Sequence, residues 1–147
     1  MSAFDAESFL DVEVEGSNTT EYTPVPEMDD ALSLIKDVSA AQSSKDDKVY
    51  TRLNVVYIIQ EEEAQEATKL EEPTVRQTIF LDMTDDGRID MSEGKNIQLG
   101  RLRAACGLNE GAFSFRQLQG QNVRTRIKHR SGDEGEIYAE VKGVKPA

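Results

Sequence analysis

Cysteine and histidine are almost missing from this chain of 147 residues: each occurs once, as Cys106 and His129. One cysteine cannot close an internal disulfide. With no second histidine or cysteine to join it, His129 supports neither a zinc site nor a Ser-His-Asp arrangement. Cys106 reads as a small buried residue of a helix, and His129 as an ordinary residue near a strand end. Long apolar runs are missing too. The longest, Val55-Val56-Tyr57-Ile58-Ile59, falls far short of the ~20 residues that span a bilayer as a helix. Met1-Ser2-Ala3-Phe4-Asp5 leads directly into acidic residues, unlike the start of a secretory leader. Gly94-Lys95 lacks the upstream glycine of a P-loop, so no phosphate cradle is present. Carboxylates abound, but in so acidic a chain pairs of them arise by chance. The expectation is a protein without catalysis, cofactor or membrane partner.

What the chain does have is charge, unevenly spread. Residues 1–100 hold 23 Asp and Glu against 8 Lys and Arg, and residues 101–147 hold 5 against 9, within a formal net charge of −11. The length fits one domain with one core, and 37% hydrophobic with 31% charged residues is ordinary for a water-soluble globular chain. The acidic balance argues against general adhesion to polyanions. It leaves room for a local basic site, because negative charge elsewhere keeps all but the shaped groove unfavourable. The stretch Val123-Arg124-Thr125-Arg126-Ile127-Lys128-His129-Arg130 supplies one. On a strand, alternate side chains face opposite ways, so Arg124, Arg126, Lys128 and Arg130 line one face.

Residues 1–29 read as an acidic arm. Ser2 is placed to cap a short helix carrying Phe4, Phe9 and Leu10, whose phenylalanines could dock on the core. Gly16–Thr20, Pro24 and Pro26 suggest loop or extended chain. Residues 30–147 form the expected domain. Ala31–Ala40 is read as a strand with Leu32, Leu34 and Val38 alternating, and Gln42–Lys48 as a polar turn. Val49–Ile59 is the clearest strand: Val49, Thr51, Leu53, Val55, Tyr57 and Ile59 inward, Tyr50, Arg52 and Asn54 outward. Glu61–Glu66 is an acidic loop or helical turn. Thr74–Leu81 turns Val75, Ile79 and Leu81 one way and Arg76, Thr78 and Phe80 the other. Lys95–Cys106 has helical spacing of Ile97, Leu99, Leu102, Ala105 and Cys106, with Gly107 as its stop. A helical turn over Phe113–Leu118 follows. Asn122–Arg130 and Glu136–Val141 are strands joined by Ser131–Gly135, the last with Ile137, Ala139 and Val141 in and Tyr138, Glu140 and Lys142 out. Three strands, a helix and two strands match the order of an OB-fold, a five-stranded Greek-key barrel.

Binding a single nucleic-acid strand requires cations for the phosphates and flat rings for the bases. The outward sets supply both: rings from Tyr50, Phe80 and Tyr138, cations from Arg52, Arg76, Arg124, Arg126, Lys128 and Lys142. The reading requires these groups to converge on one wall. A different chemistry competes in Asp82-Met83-Thr84-Asp85-Asp86-Gly87-Arg88-Ile89-Asp90-Met91-Ser92-Glu93. Asp82, Thr84, Asp86, Asp90 and Glu93 fall at calcium-loop positions, with Gly87 at the sharp turn. Against it, the third position is Thr, and the preceding segment has the composition of a strand rather than an entering helix.

Several segments together resemble a family of small proteins encoded by tailed bacteriophages: Pro73-Thr74-Val75-Arg76-Gln77 leading to Leu81-Asp82, Gly94–Arg103, the Val123–Arg130 strand, Ile137–Val144, and the opening Ser2–Leu10 and Thr23–Glu27. Members are regarded as single-stranded DNA-binding proteins with an OB-fold, acting beside replication and recombination genes. The resemblance implies single-stranded DNA and phage or host replication and recombination proteins as partners, the bacterial cytoplasm as location, and leaves room for a homo-oligomer. After Pro26 the chain departs from the family, with Met28-Asp29-Asp30-Ala31-Leu32 where a glycine-containing entry into an aromatic strand is expected. The alternative expectation is an acidic interaction module that binds a host or phage protein, for instance by mimicking DNA.

Overall fold

The computed structural model describes residues 3–18, 20 and 23–147. Its elements run α1 (Ala6–Leu10), β1 (Met28–Lys45), β2 (Lys48–Ile59), α2 (Glu62–Thr68), β3 (Thr74–Leu81), α3 (Ile97–Ala105), a 3-10 turn (Phe115–Leu118), β4 (Asn122–Ser131) and β5 (Ile137–Pro146). The strands close into a ring in the order β1-β2-β3-β5-β4. All neighbours are antiparallel except β3 and β5, which meet in parallel at Arg76 and Glu140. Among the described residues no helix is long and apolar enough to cross a membrane.

Period-two alternation builds the interior. Leu53, Val55, Tyr57 and Ile59 of β2 meet Val75, Ile79 and Leu81 of β3, Val123 and Ile127 of β4, and Val141 of β5. Leu99, Leu102 and Ala105 of α3 join the same core. Each large aliphatic side chain so buried contributes roughly 1.5–3 kcal/mol. The polar groups inside are paired. Tyr57 donates its hydroxyl to Gln77 Oε1 at 2.6 Å, and Ser33 shares a 2.9 Å bond with Thr125. Burial above all, with the Cys106 thiol a lesser influence, pushes the Tyr57 hydroxyl well above its ordinary pKa, so it remains a donor.

Several expectations shift. β1 does not use Leu32 and Leu34 as its inner face: Ala31, Ser33 and Ile35 point in, and the two leucines lie half-buried outside. The Gln42–Lys48 turn shrinks to Asp46-Asp47, both in the left-handed region with φ of 53° and 64°, a conformation that Asp tolerates better than most residues. Around it β1 and β2 form a two-stranded ribbon that outruns the ring, because β4 pairs with β1 only over Met28–Leu34. Val49, expected in the core, lies on this ribbon and is exposed. Ile97, at the start of α3, is exposed as well. The acidic run after β2 is largely helical, as α2. α1 is capped by Asp5, whose carboxylate accepts from the Glu7 and Ser8 amides. Ser2 lies outside the described residues. Phe4 and Phe9 pack on each other at 5.3 Å and do not dock: both are exposed.

Candidate nucleic-acid interface

Which outward residues become neighbours depends on the ring order. β2 and β3 are paired so that Arg52 lies opposite Phe80, Asn54 opposite Thr78 and Val56 opposite Arg76. Tyr50 precedes Arg52 by two residues on the same face. The Arg52 guanidinium leans toward β1 and donates to Ser43 Oγ at 3.2 Å, and Ser43 is in turn the cross-strand partner of Tyr50. Phe80 is 62% exposed and Tyr50 40%, so both rings present surface to solvent. Arg52 and Arg76 have no carboxylate partner among the described residues.

The wall continues onto β5. A groove of about 530 Å³ runs between β3 and β5, lined by Thr74, Arg76, Thr78, Arg130, Tyr138 and Glu140 among others. Glu140 faces Arg76 in the parallel pair, yet its carboxylate is taken by Lys142 at 2.7 Å and Arg130 at 3.4 Å. Two cations on one carboxylate leave the groove with positive charge to spare. Arg130 also lies over the Tyr138 ring, 5.3 Å from its centroid, and the Tyr138 hydroxyl bonds to Glu136. Partial burial and the Glu136 carboxylate both raise the Tyr138 pKa. Tyr50 stands on the ribbon just beyond the β2–β3 pairing, Arg52 and Phe80 lie opposite each other on the β2–β3 face, and Arg76 and Tyr138 share the groove, which Lys142 reaches through Glu140. Arg130 and Thr78 belong to the groove as well. Arg130 was visible in the sequence as the last base of the β4 alternation, but only the β4–β5 pairing, which sets it opposite Tyr138, assigns it to the groove.

Arg124, Arg126 and Lys128 do not join this wall. They alternate outward on β4 as expected, but only the Arg130 end of β4 reaches the groove; Lys128, although registered opposite Glu140 of β5, turns to Asp29. Moreover, Arg124 and Lys128 of this stripe are ion-paired. Arg124 and Lys145 approach Asp30 at 3.9 and 3.3 Å, and Lys128 approaches Asp29 at 3.6 Å. The β1–β4 register slips between Met28 and Ala31, and this bulge lets two consecutive carboxylates reach the outer face. Sequence reasoning missed Asp29 and Asp30; their only signal is that they stand together at the entry of β1. Just upstream, Glu27 accepts the His129 amide at 2.9 Å. That bond, more than the nearby positive charge, lowers its pKa. His129 Nε2 meets the Val25 carbonyl at 2.8 Å. Val25 is buried, so residues 25–30 lie as an acidic strap along β4.

The calcium-loop spacing folds differently from a helix-flanked loop. Met83 and Ile89 pair as an antiparallel bridge, making Asp82–Asp90 a small hairpin. Asn96 occupies the Asp82 groups: its amide donates to the carboxylate at 2.8 Å, and its side chain bonds the Asp82 backbone. Asp86 turns to Thr84 and Arg88. The Ser92 hydroxyl and amide hold the Asp90 carboxyl below its usual pKa. Among the described residues no three His, Cys, Asp or Glu side chains converge as metal ligands. Compared with family models and with curated proteins, the sequence matches none.

Proposed function

We propose that the ring is an OB-fold and that its β2–β3–β5 wall binds single-stranded DNA without catalysis, as a phage-encoded protein of replication or recombination. The order β1-β2-β3-β5-β4 with one parallel contact, and a helix between β3 and β4, supports the fold reading. OB-folds bind oligonucleotides on the face of strands 2 and 3, between the loops that follow strands 1 and 4. The observation that carries the function is the company kept on that face: exposed rings of Tyr50 and Phe80 beside the guanidinium groups of Arg52 and Arg76, which have no carboxylate partner among the described residues. Rings stack on bases of any identity at roughly 1–3 kcal/mol each, and the arginines track phosphates, so sequence preference is weak. Fluorescence anisotropy with a homopolymer DNA strand, its RNA counterpart and a duplex, at two salt concentrations, tests the reading. The single strand should bind best and weaken as salt rises. Equal affinity for duplex and single strand, or none for either, overturns it.

A second reading rests on the arm. Phe4, Phe9, Leu10, Val12 and Val14 are all exposed and interleave with Asp5, Glu7, Asp11, Glu13 and Glu15. This acidic and apolar segment has the chemistry to dock on a basic, apolar groove of a phage or host protein, independently of the wall.

A further inference from the structure

At the β4–β5 seam, beside the first groove, lies a second set of bases, and we infer that it is a phosphate track held closed by Asp29 and Asp30. This rests on the proposed reading of the β2–β3–β5 wall as the site where a single strand first binds. Arg124, Arg126, Gly143, Val144, Lys145 and Asp29 line a depression of about 200 Å³. The β4–β5 register slips next to Arg126, whose partner is Gly143, so the partner position puts no side chain between the depression and solvent. Arg126 is exposed and has no carboxylate partner among the described residues. Arg124 and Lys145 share Asp30 and Lys128 pairs with Asp29, and the bulge between Met28 and Ala31 delivers both carboxylates.

These ion pairs suit a latch. Asp29 is 85% exposed and Asp30 52%, and exposed pairs are worth little and are screened by salt. A phosphodiester chain already held on the first wall reaches the track at high effective concentration, and its phosphates replace the two carboxylates one for one. A free polyanion gains no such advantage and must displace them unaided. The carboxylates thus restrict the track to strands long enough to occupy both walls. They suppress adhesion to phosphates that carry no unpaired bases.

The test is the double substitution Asp29→Asn and Asp30→Asn, which keeps side-chain shape and removes charge. Three probes are titrated: a DNA homopolymer of about 8 nucleotides, within the ~4–16 covered by one OB-fold, one about four times longer, and inorganic polyphosphate. The variant should bind polyphosphate and the long strand at least about 10-fold more tightly than the wild type. The salt slope for the long strand should steepen by about 0.7 per phosphate gained, and the short strand should change less than about 2-fold. Adding Arg126→Glu should cancel the gain. Glu62→Gln with Glu63→Gln, which removes two charges elsewhere, should give no such gain. A polyphosphate affinity unchanged in the double variant, or matched by the Glu62/Glu63 control, overturns the latch. Failure of the wild type to bind the short strand instead overturns the reading of the first wall.

Discussion

The two outer faces of the ring carry similar residues and differ in what surrounds them. On the β2–β3–β5 wall, guanidinium groups sit beside exposed rings, and one of them, Arg52, hydrogen-bonds to the neutral hydroxyl of Ser43. On the β4 face, bases of the same kind sit without rings and lean on Asp29 and Asp30. A cation without a carboxylate partner meets a phosphate more readily than one already paired, and a nucleobase can stack only where a ring stands free. Abundance of basic residues therefore points to β4, while their availability points to the β2–β3–β5 wall.

The largest test of this contrast removes both exposed rings. Tyr50→Ala with Phe80→Ala deletes two stacking surfaces of roughly 1–3 kcal/mol each and should weaken short-oligonucleotide binding by at least about 30-fold in an anisotropy titration. Loss of less than about 3-fold would leave the wall without its main attraction. An interior change serves as the control. Tyr57→Phe strands the Gln77 carbonyl inside the ring and should lower stability in urea unfolding by about 1–3 kcal/mol, with binding retained below the transition. Single cations sharpen the comparison further. Arg52→Ala should reduce the salt slope for a short strand by about 0.7, whereas Arg124→Ala should leave that slope unchanged.

The smallest effect concerns the strap. The Glu27 carboxyl has its pKa lowered on folding, so its contribution is present above its unfolded pKa and is lost as pH falls through the folded value. The protection factor of the His129 amide, its exchange by NMR relative to the intrinsic rate at each pH, should therefore fall on acidification through that lowered pKa. Protection of that amide independent of pH would show that Glu27 does not hold the strap.

Much of the fold was legible because period-two alternation is a local property. Val75, Ile79 and Leu81 of β3 announce an inner face without any knowledge of the strands beside them. The ribbon of β1 and β2 was hidden because Gln42-Ser43-Ser44-Lys45 leaves the ring, exposes both faces and so reads as a turn, although it is paired with β2 throughout. The site was half legible for a related reason. Alternation tells which residues face outward; only the ring order tells which outward rows touch. Inserting β5 between β3 and β4 separates Arg124, Arg126 and Lys128 from Phe80 and brings Tyr138 and Arg130 to Arg76. Capture of the β4 bases by Asp29 and Asp30 was beyond reach, since it depends on a slip in strand pairing.

The most direct test is to map amide chemical-shift changes while a short DNA homopolymer is titrated into isotope-labelled protein. The account expects the largest changes at Tyr50, Arg52, Arg76, Phe80 and Tyr138, with Val123–Lys128 and Lys145 little affected. Changes confined to Val123–Lys128 and Lys145, or no changes at saturating DNA, would contradict it.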